Sequence, residues 1–403
     1  MERKTGHILK TILLSSVLLG TAACKSDTEE VVEEITFPAE VLKESYTIDR
    51  LKILNIDPQI TGKLTWSIND SIISEHLDLD FLSAVAATYP LTLKVEVKGV
   101  VKTYQSSIIV KQEQVPYSKY IANVFEYRPS VGQFMNVTPE YLPGYTADDM
   151  LAKAKDYIVG GNSTMISLGG FGGYVTFGFD HTIPNLDGRD FKILGNAFWG
   201  NEALEARSGS CEPGIIMVAY DKNRNGKPDD NEWYEIAGSE YFKSTTVKNY
   251  SITYFKPNES KPPVLGSEGW QYDVEYLKWQ DNMGNSGYKT KNSFNSHNSY
   301  YPLWISDPLS IFSGTKIQNN YYDQSGNGTY WVGKSYDYGY ADNAPNNDEA
   351  SNMDIAWAVD KAGNYVKLPG IDFIRVHTGV NQEAGWLGEV STEVAGAYDL
   401  HLK

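Results

Sequence analysis

Between Thr36 and about Gln112, apolar and polar residues alternate in short bursts: Y-T-I-D, L-K-I-L-N-I, L-T-W-S-I, L-D-L-D-F, P-L-T-L-K-V-E-V and S-S-I-I-V. A period of two sends every second side chain to one face of a strand. In Y-P-L-T-L-K-V-E-V this places Tyr89, Leu91, Leu93, Val95 and Val97 on a common face, with Trp66 in an earlier run as the aromatic core candidate. Short strands at this spacing predict an antiparallel β-sandwich over residues 36–112.

After Q-E-Q-V-P, residues 117–403 carry further strand-like runs: G-Y-V-T-F-G-F, D-F-K-I-L, G-I-I-M-V-A-Y, W-Y-E-I-A, F-I-R-V-H-T and Y-D-L-H-L. One stretch breaks the pattern. Thr146 precedes A-D-D-M-L-A-K-A-K-D-Y-I, Asp149 stands three residues on, and Gly160 and Gly161 close the run, which predicts a capped helix. Trp233 and Trp357 sit in strand-like alternation and are expected in the core. From about Lys243 to Asn347 the chain is rich in Asn, Ser, Gly and Tyr. That composition predicts long loops with short strands, where binding sites concentrate. The whole chain therefore reads as all-β, in two unequal parts.

The N-terminus has the layout of an export signal: Arg3, Lys4 and Lys10, then T-I-L-L-S-S-V-L-L-G, then T-A-A-C. The apolar run is too short to span a bilayer. Residues 1–23 followed by Cys24 resemble a bacterial lipoprotein signal, although Thr21 stands where that signal usually has leucine. The resemblance implies acylation of Cys24 and attachment to a membrane. Residues 24–35, K-S-D-T-E-E-V-V-E-E after the cysteine, lack hydrophobic periodicity and predict a solvated acidic tether. A lysine followed by acidic residues at this place resembles the surface-export signal of Bacteroidetes lipoproteins, implying the outer face of the outer membrane. With Cys24 acylated, Cys211 has no partner, and disulfides do not hold the fold.

Loss of residues 1–23 removes Arg3, Lys4, Lys10 and Glu2 and leaves 32 basic against 50 acidic side chains, a net charge of −18. Such a chain offers no basic face for nucleic acid.

The stretch D-K-N-R-N-G-K-P-D-D-N-E matches D-x-[DN]-x-[DN]-G-x5-E at every specified position. Asp221, Asn223 and Asn225 offer side-chain oxygens, Gly226 permits a sharp turn, Lys227 offers its carbonyl, and Asp229 and Glu232 complete an oxygen shell suited to calcium. Strand-like flanks in place of helices predict a solitary structural calcium loop within a β-hairpin, longer than the usual two to five residues. A polar turn without metal is the alternative. A-D-N-A-P-N-N-D-E, with Asp342, Asn343, Asn347, Asp348 and Asp354 nearby, has no recognisable metal spacing and is expected to be a solvated loop. Asp180, Asp187 and Asp190 are expected to form turns.

S-L-G-G-F-G-G-Y-V-T-F-G-F-D, D-G-R-D-F-K-I-L-G-N-A-F and E-P-G-I-I-M-V-A-Y-D resemble bacterial "cell surface protein" domains, themselves similar to galactose-binding-type jelly rolls. The N-terminal sandwich resembles PKD-type, immunoglobulin-like domains. Together they imply a jelly-roll-like ligand-binding domain over 117–403. They also imply capture of a glycan or corrinoid beside a TonB-dependent outer-membrane transporter. The glycines of L-G-G-F-G-G-Y lack G-x-G-x-x-G spacing and enter a strand, so close backbone packing is expected there and not a nucleotide. Trp199 and Trp386, beside glycines, and Trp270 and Trp331 are the candidate ligand-stacking residues. No H-E-x-x-H, G-x-S-x-G or zinc-spaced histidines occur. No catalytic residue is assigned. A carbohydrate-active enzyme using two carboxylates, or an adhesin or structural partner of the transporter, are the alternative functions.

Overall fold

The alternating runs of the N-terminal part pair with one another. In the computed structural model, which describes residues 35–161 and 164–402, Ser45–Asp49, Val100–Lys111, Thr88–Val97, Lys63–Ile68 and Ser71–Ser74 form one five-stranded sheet in that order. The signal, Cys24 and residues 25–34 lie outside the described residues. Neighbouring strands are antiparallel except for the first pair, where Ser45–Asp49 runs parallel to the chain's return strand. Leu54–Ile56 and Leu79–Phe81 pair separately.

Leu91, Leu93 and Val95 are buried together with Trp66, whose indole N–H donates to the His76 carbonyl at 3.0 Å. The period-two face is the core face, as its pattern predicts. This unit ends at Pro116, and a second begins at Tyr117.

The second unit is built on a six-stranded antiparallel sheet ordered Ala358–Val359, Trp233–Ile236, Gly214–Ala219, Gly370–Thr378, Tyr174–Pro184, Asn123–Arg128. Val175, Phe177, Ile216, Val218, Ile374 and Val376 bury one face. Met150, Ala154 and Ile158, four residues apart on the helix Ala147–Ile158, pack into the same core. The expected capping box is present: the Asp149 N–H donates to Thr146 Oγ1 at 3.3 Å, and the Thr146 N–H donates to Asp149 Oδ2 at 2.8 Å. The glycine run packs closely. A Cβ at Gly173 would stand 1.9 Å from the Leu168 carbonyl oxygen, which no side chain can do.

Two expectations need correcting. The Asn/Ser/Gly/Tyr-rich span contains long strands, Ser286–Asn292, Gln271–Asp281, Val247–Phe255 and Leu309–Lys316, paired in that order as a four-stranded antiparallel sheet. Its buried face is made largely of tyrosines. Tyr250, Ile252 and Tyr254 alternate with polar residues and pack against Phe171 and Phe312, so aromatic alternation does the work usually assigned to Val and Ile. Trp357 lies in the 3-10 turn Ile355–Trp357, not in a strand, half-buried between the Arg189 guanidinium at 4.2 Å and the Tyr338 ring at 4.7 Å. Trp233 is buried as expected. Among the described residues no helix is long and apolar enough to cross a membrane.

Candidate functional site

Three of the four candidate tryptophans are drawn toward one place by three loops distant in sequence. Trp331 opens the strand Trp331–Lys334, paired with Tyr321–Asp323 across the turn 324–330. Its indole N–H donates to the Gly328 carbonyl at 3.2 Å. The ring lies against the backbone of Gly385, where a Cβ would stand 2.2 Å from Trp331 Nε1. That contact needs glycine, which also holds φ +53° there. The next residue is Trp386, whose indole N–H donates to the Thr329 carbonyl at 3.3 Å. Both indoles therefore spend their donors on the 324–330 turn.

Phe294 completes the ridge. Its ring meets Trp386 edge-on, with centroids 6.3 Å apart and planes at 72°. It sits in the 3-10 turn Ser293–Asn295, capped by Asn292 Oδ1 accepting from the Asn295 N–H at 2.9 Å. The Ser293 N–H donates to the Trp270 carbonyl at 2.8 Å, which sets Trp270 at the foot of the turn.

Gln133 ties the parts together. Its Nε2 donates to the Leu387 carbonyl at 2.8 Å, and its Oε1 accepts from Asn292 Nδ2 at 2.7 Å. Phe294 is 64% exposed and Trp386 and Tyr330 each 38%, so this fixed scaffold turns aromatic surface to solvent. Asn295 follows Phe294 and reaches Gln133 Oε1 at 3.3 Å, and Thr329, whose carbonyl takes the Trp386 indole, donates its hydroxyl to Asn327 Oδ1 at 2.6 Å, so amide and hydroxyl groups lie beside the rings.

Beneath the ridge Lys289 is buried between the carboxyls of Glu383 and Glu389. Burial lowers the Lys289 pKa and pushes Glu389 up to about 8. Glu383 accepts from the Thr290 N–H at 2.8 Å and Glu389 from the Gln133 N–H at 2.6 Å, anchoring both ends of the Trp386 loop.

Trp199 stands apart from the ridge. It pairs with Gly209, which pairs with Gly333, so it shares a four-stranded sheet with Trp331. Its ring lies 5.3 Å from the Arg207 guanidinium, and its indole N–H is buried without a partner.

The D-K-N-R-N-G-K-P-D-D-N-E loop joins Gly214–Ala219 to Trp233–Ile236, closed by the Ala219–Trp233 pair. Asp221 Oδ2 accepts from the Gly226 N–H at 2.8 Å, and Asp229 Oδ2 lies 2.6 and 2.8 Å from the amide nitrogens of Asn223 and Asn225. Glu232 is 5% exposed. Its Oε1 accepts from the Lys222 N–H at 3.2 Å, while Oε2 is shut from solvent with no partner. Lys227 is exposed.

The stretch expected to be a solvated loop is partly interior. Asp342 and Asn343 are 3% and 0% exposed. Carboxylate oxygens of Asp342, Glu393 and Glu212 lie within 4.8 Å of one another. Asp342 Oδ1 accepts from the Asn196 and Ala197 N–H groups at 2.8 and 2.9 Å, and Oδ2 from the Glu393 N–H at 3.0 Å. Ser167 and Ser391 hydroxyls donate to Glu393, and the Ser391 N–H donates to Glu212. Burial raises all three, Asp342 to about 7 and Glu393 to about 8. Asp190 is also buried, accepting from the N–H groups of Leu186 and Ile355, so it clamps its turn from inside.

Sequence reasoning missed Phe294, although a lone phenylalanine in N-S-F-N-S-H-N-S was visible. It also missed the Asp323, Ser325, Asn327, Gly328 turn, which repeats the first half of the earlier spacing. There Asp323 Oδ2 accepts from the Gly328 N–H at 2.6 Å. An open groove of about 620 Å³, lined by Val137, Tyr157, Met165, Leu194 and Ala395 among others, holds none of the predicted residues.

No family model and no curated protein matches the chain. Among solved structures, a quinoprotein alcohol dehydrogenase-like protein from Bacteroides thetaiotaomicron matches at 16% identity and TM-score 0.16, over 23% of this chain and only about a fifth, 21%, of its own. A SusE-like protein matches at 8% identity and TM-score 0.23, over 84% and 88% of the two chains. A structure described for the promiscuous specificity of β-sandwich carbohydrate-binding modules matches at 8% and 0.13, over 87% and 94%. At such scores these likenesses carry no argument, and function rests on the geometry of the chain itself.

Proposed function

We propose that this chain is a cell-surface, lipid-anchored protein whose second unit captures a glycan on the Phe294–Trp386 ridge. The observation that carries this is the ridge itself: exposed aromatic rings from two loops distant in sequence, Phe294 and Trp386, with the Trp386 indole held by the Thr329 carbonyl and amide and hydroxyl side chains beside it. A sugar ring presents a C–H face to an aromatic plane and hydroxyls to amides, so both halves of this lining are used. A corrinoid needs a broad flat platform, and the 72° angle between Phe294 and Trp386 makes a corner instead.

Anchoring through Cys24, surface display and delivery to a TonB-dependent transporter follow from the signal-like N-terminus and belong to the same proposal. Titrating the purified chain with a glycan panel and with corrinoids tests it. Trp386→Ala and Phe294→Ala should each weaken glycan binding at least about tenfold, as truncation of a stacking aromatic does. Corrinoid binding in place of glycan, or unaltered affinity in both variants, would overturn it.

A further inference from the structure

We infer that Gln133 is a positioning residue for the ridge: its buried amide locks the Phe294 turn to the Trp386 loop, so that the two rings meet a ligand as one preformed corner. This role rests on the glycan reading of the ridge and concerns what sets its affinity. Gln133 is 4% exposed and bonds both ring-bearing segments at once. Its Oε1 accepts from Asn292 Nδ2 at 2.7 Å and from Asn295 Nδ2 at 3.3 Å, the residues that open and close the Phe294 turn. Its Nε2 donates at 2.8 Å to the carbonyl of Leu387, the residue after Trp386.

The backbone repeats the arrangement. The Gly132 N–H donates to the Tyr300 carbonyl at 2.7 Å, after the Phe294 turn, and the Gln133 N–H donates to Glu389 Oε1 at 2.6 Å, at the end of the Trp386 loop. Space around the amide is closed, since a Cβ at Gly388, which holds φ +92°, would stand 2.5 Å from Gln133 Oε1. An amide is the group this place requires: its oxygen accepts twice while its nitrogen donates, and a carboxylate would turn an oxygen against the Leu387 carbonyl. Glu383 makes a second link, accepting from the Thr290 N–H at 2.8 Å, but it ties the loop to the strand before the turn. Without Gln133 each segment keeps its own bonds, the Asn295 N–H to Asn292 Oδ1 and the Ala384 N–H to the Gly388 carbonyl, and loses the common partner. A ring left free must then be ordered by the ligand, at a cost of a factor of about two to ten in affinity.

The test joins calorimetric titration of the full chain, using a soluble neutral oligosaccharide selected from a panel, to amide hydrogen exchange without ligand, for wild type, Gln133→Ala and Gln133→Glu. Gln133→Ala should weaken binding about fivefold or more. It should also speed exchange at Asn295 and Ala384 together, while Phe177 and Val376 in the six-stranded sheet exchange as in wild type. Gln133→Glu should bind like wild type where its carboxyl is protonated, because the acid O–H then replaces the amide donor to Leu387. It should lose affinity as pH rises and a carboxylate faces that carbonyl. Glu383, Glu389 and Lys289 are common to all three proteins, so the difference between the pH profiles reads the introduced group. Wild-type affinity in Gln133→Ala, faster exchange in only one of the two segments, or parallel pH profiles for Gln133→Glu and wild type would overturn the role. A wild-type chain that binds no glycan, while Gln133→Ala loosens both segments, would fail the capture reading alone and leave the lock between turn and loop standing.

Discussion

Glu393→Gln offers a quantitative test of the buried carboxyl cluster. Glu212, Asp342 and Glu393 share one interior site, and burial, joined for Glu393 by the neighbouring Asp342, raises their pKa values, to about 7 for Asp342 and about 8 for Glu393. In the unfolded chain such groups titrate near 4. Between about pH 4.5 and 7 the folded state therefore holds protons that the unfolded state has released, and stability falls as pH rises. The contribution is complete below the unfolded values and is lost as pH passes through the folded ones. Each proton retained on folding costs about 1.4 kcal/mol per pH unit, so one proton is worth about 3 kcal/mol between pH 5 and 7.

Glutamine preserves the shape and the acceptor oxygen that Ser167 and Ser391 use, and it turns an N–H toward the remaining carboxyls. Denaturant unfolding at pH 5, 6 and 7 should show wild type losing about 1.4 kcal/mol per pH unit more than the variant. Tryptophan fluorescence reports the right unit, since eight of the nine tryptophans lie after residue 116. Parallel pH profiles for the two proteins would refute the claim that the cluster retains a proton at neutral pH.

Two further outcomes are expected. Trp66→Ala empties the centre of the first sandwich and leaves the His76 carbonyl without its donor. It should cost about 3–5 kcal/mol, read as at least a hundredfold faster amide exchange in Leu91–Val95; unchanged protection would remove Trp66 from the core that holds this unit. Cys24→Ala should abolish labelling by fatty acid and release the chain from the membrane fraction, and undiminished labelling would sink the anchor.

The strands of the first unit were legible because Leu91, Leu93 and Val95 alternate strictly with polar residues, and a half-buried sheet needs nothing more. The four-stranded sheet over 247–316 was not, because its interior is tyrosine. A residue with an apolar ring and a polar tip serves equally in a core and in a loop. Trp386 was picked out by its flanking glycines, and the structure shows why they are there: Gly385 lies under the Trp331 ring. Gln133 meets Asn292 and Asn295, on either side of Phe294, only through the fold. Asp342 was expected in a solvated loop and Glu212 and Glu393 were not singled out, since nothing local marks a carboxylate that tertiary packing will bury.

The central claim is that the Phe294–Trp386 ridge binds sugar. The most direct measurement is calorimetric titration of the full chain with a glycan identified from a panel, comparing wild type with Trp386→Ala and Phe294→Ala after confirming that each variant keeps the wild-type Tm. Loss of at least about tenfold in affinity in both variants, with the fold intact, is the result the ridge predicts. Wild-type affinity in both would place the ligand elsewhere on the molecule and contradict the account.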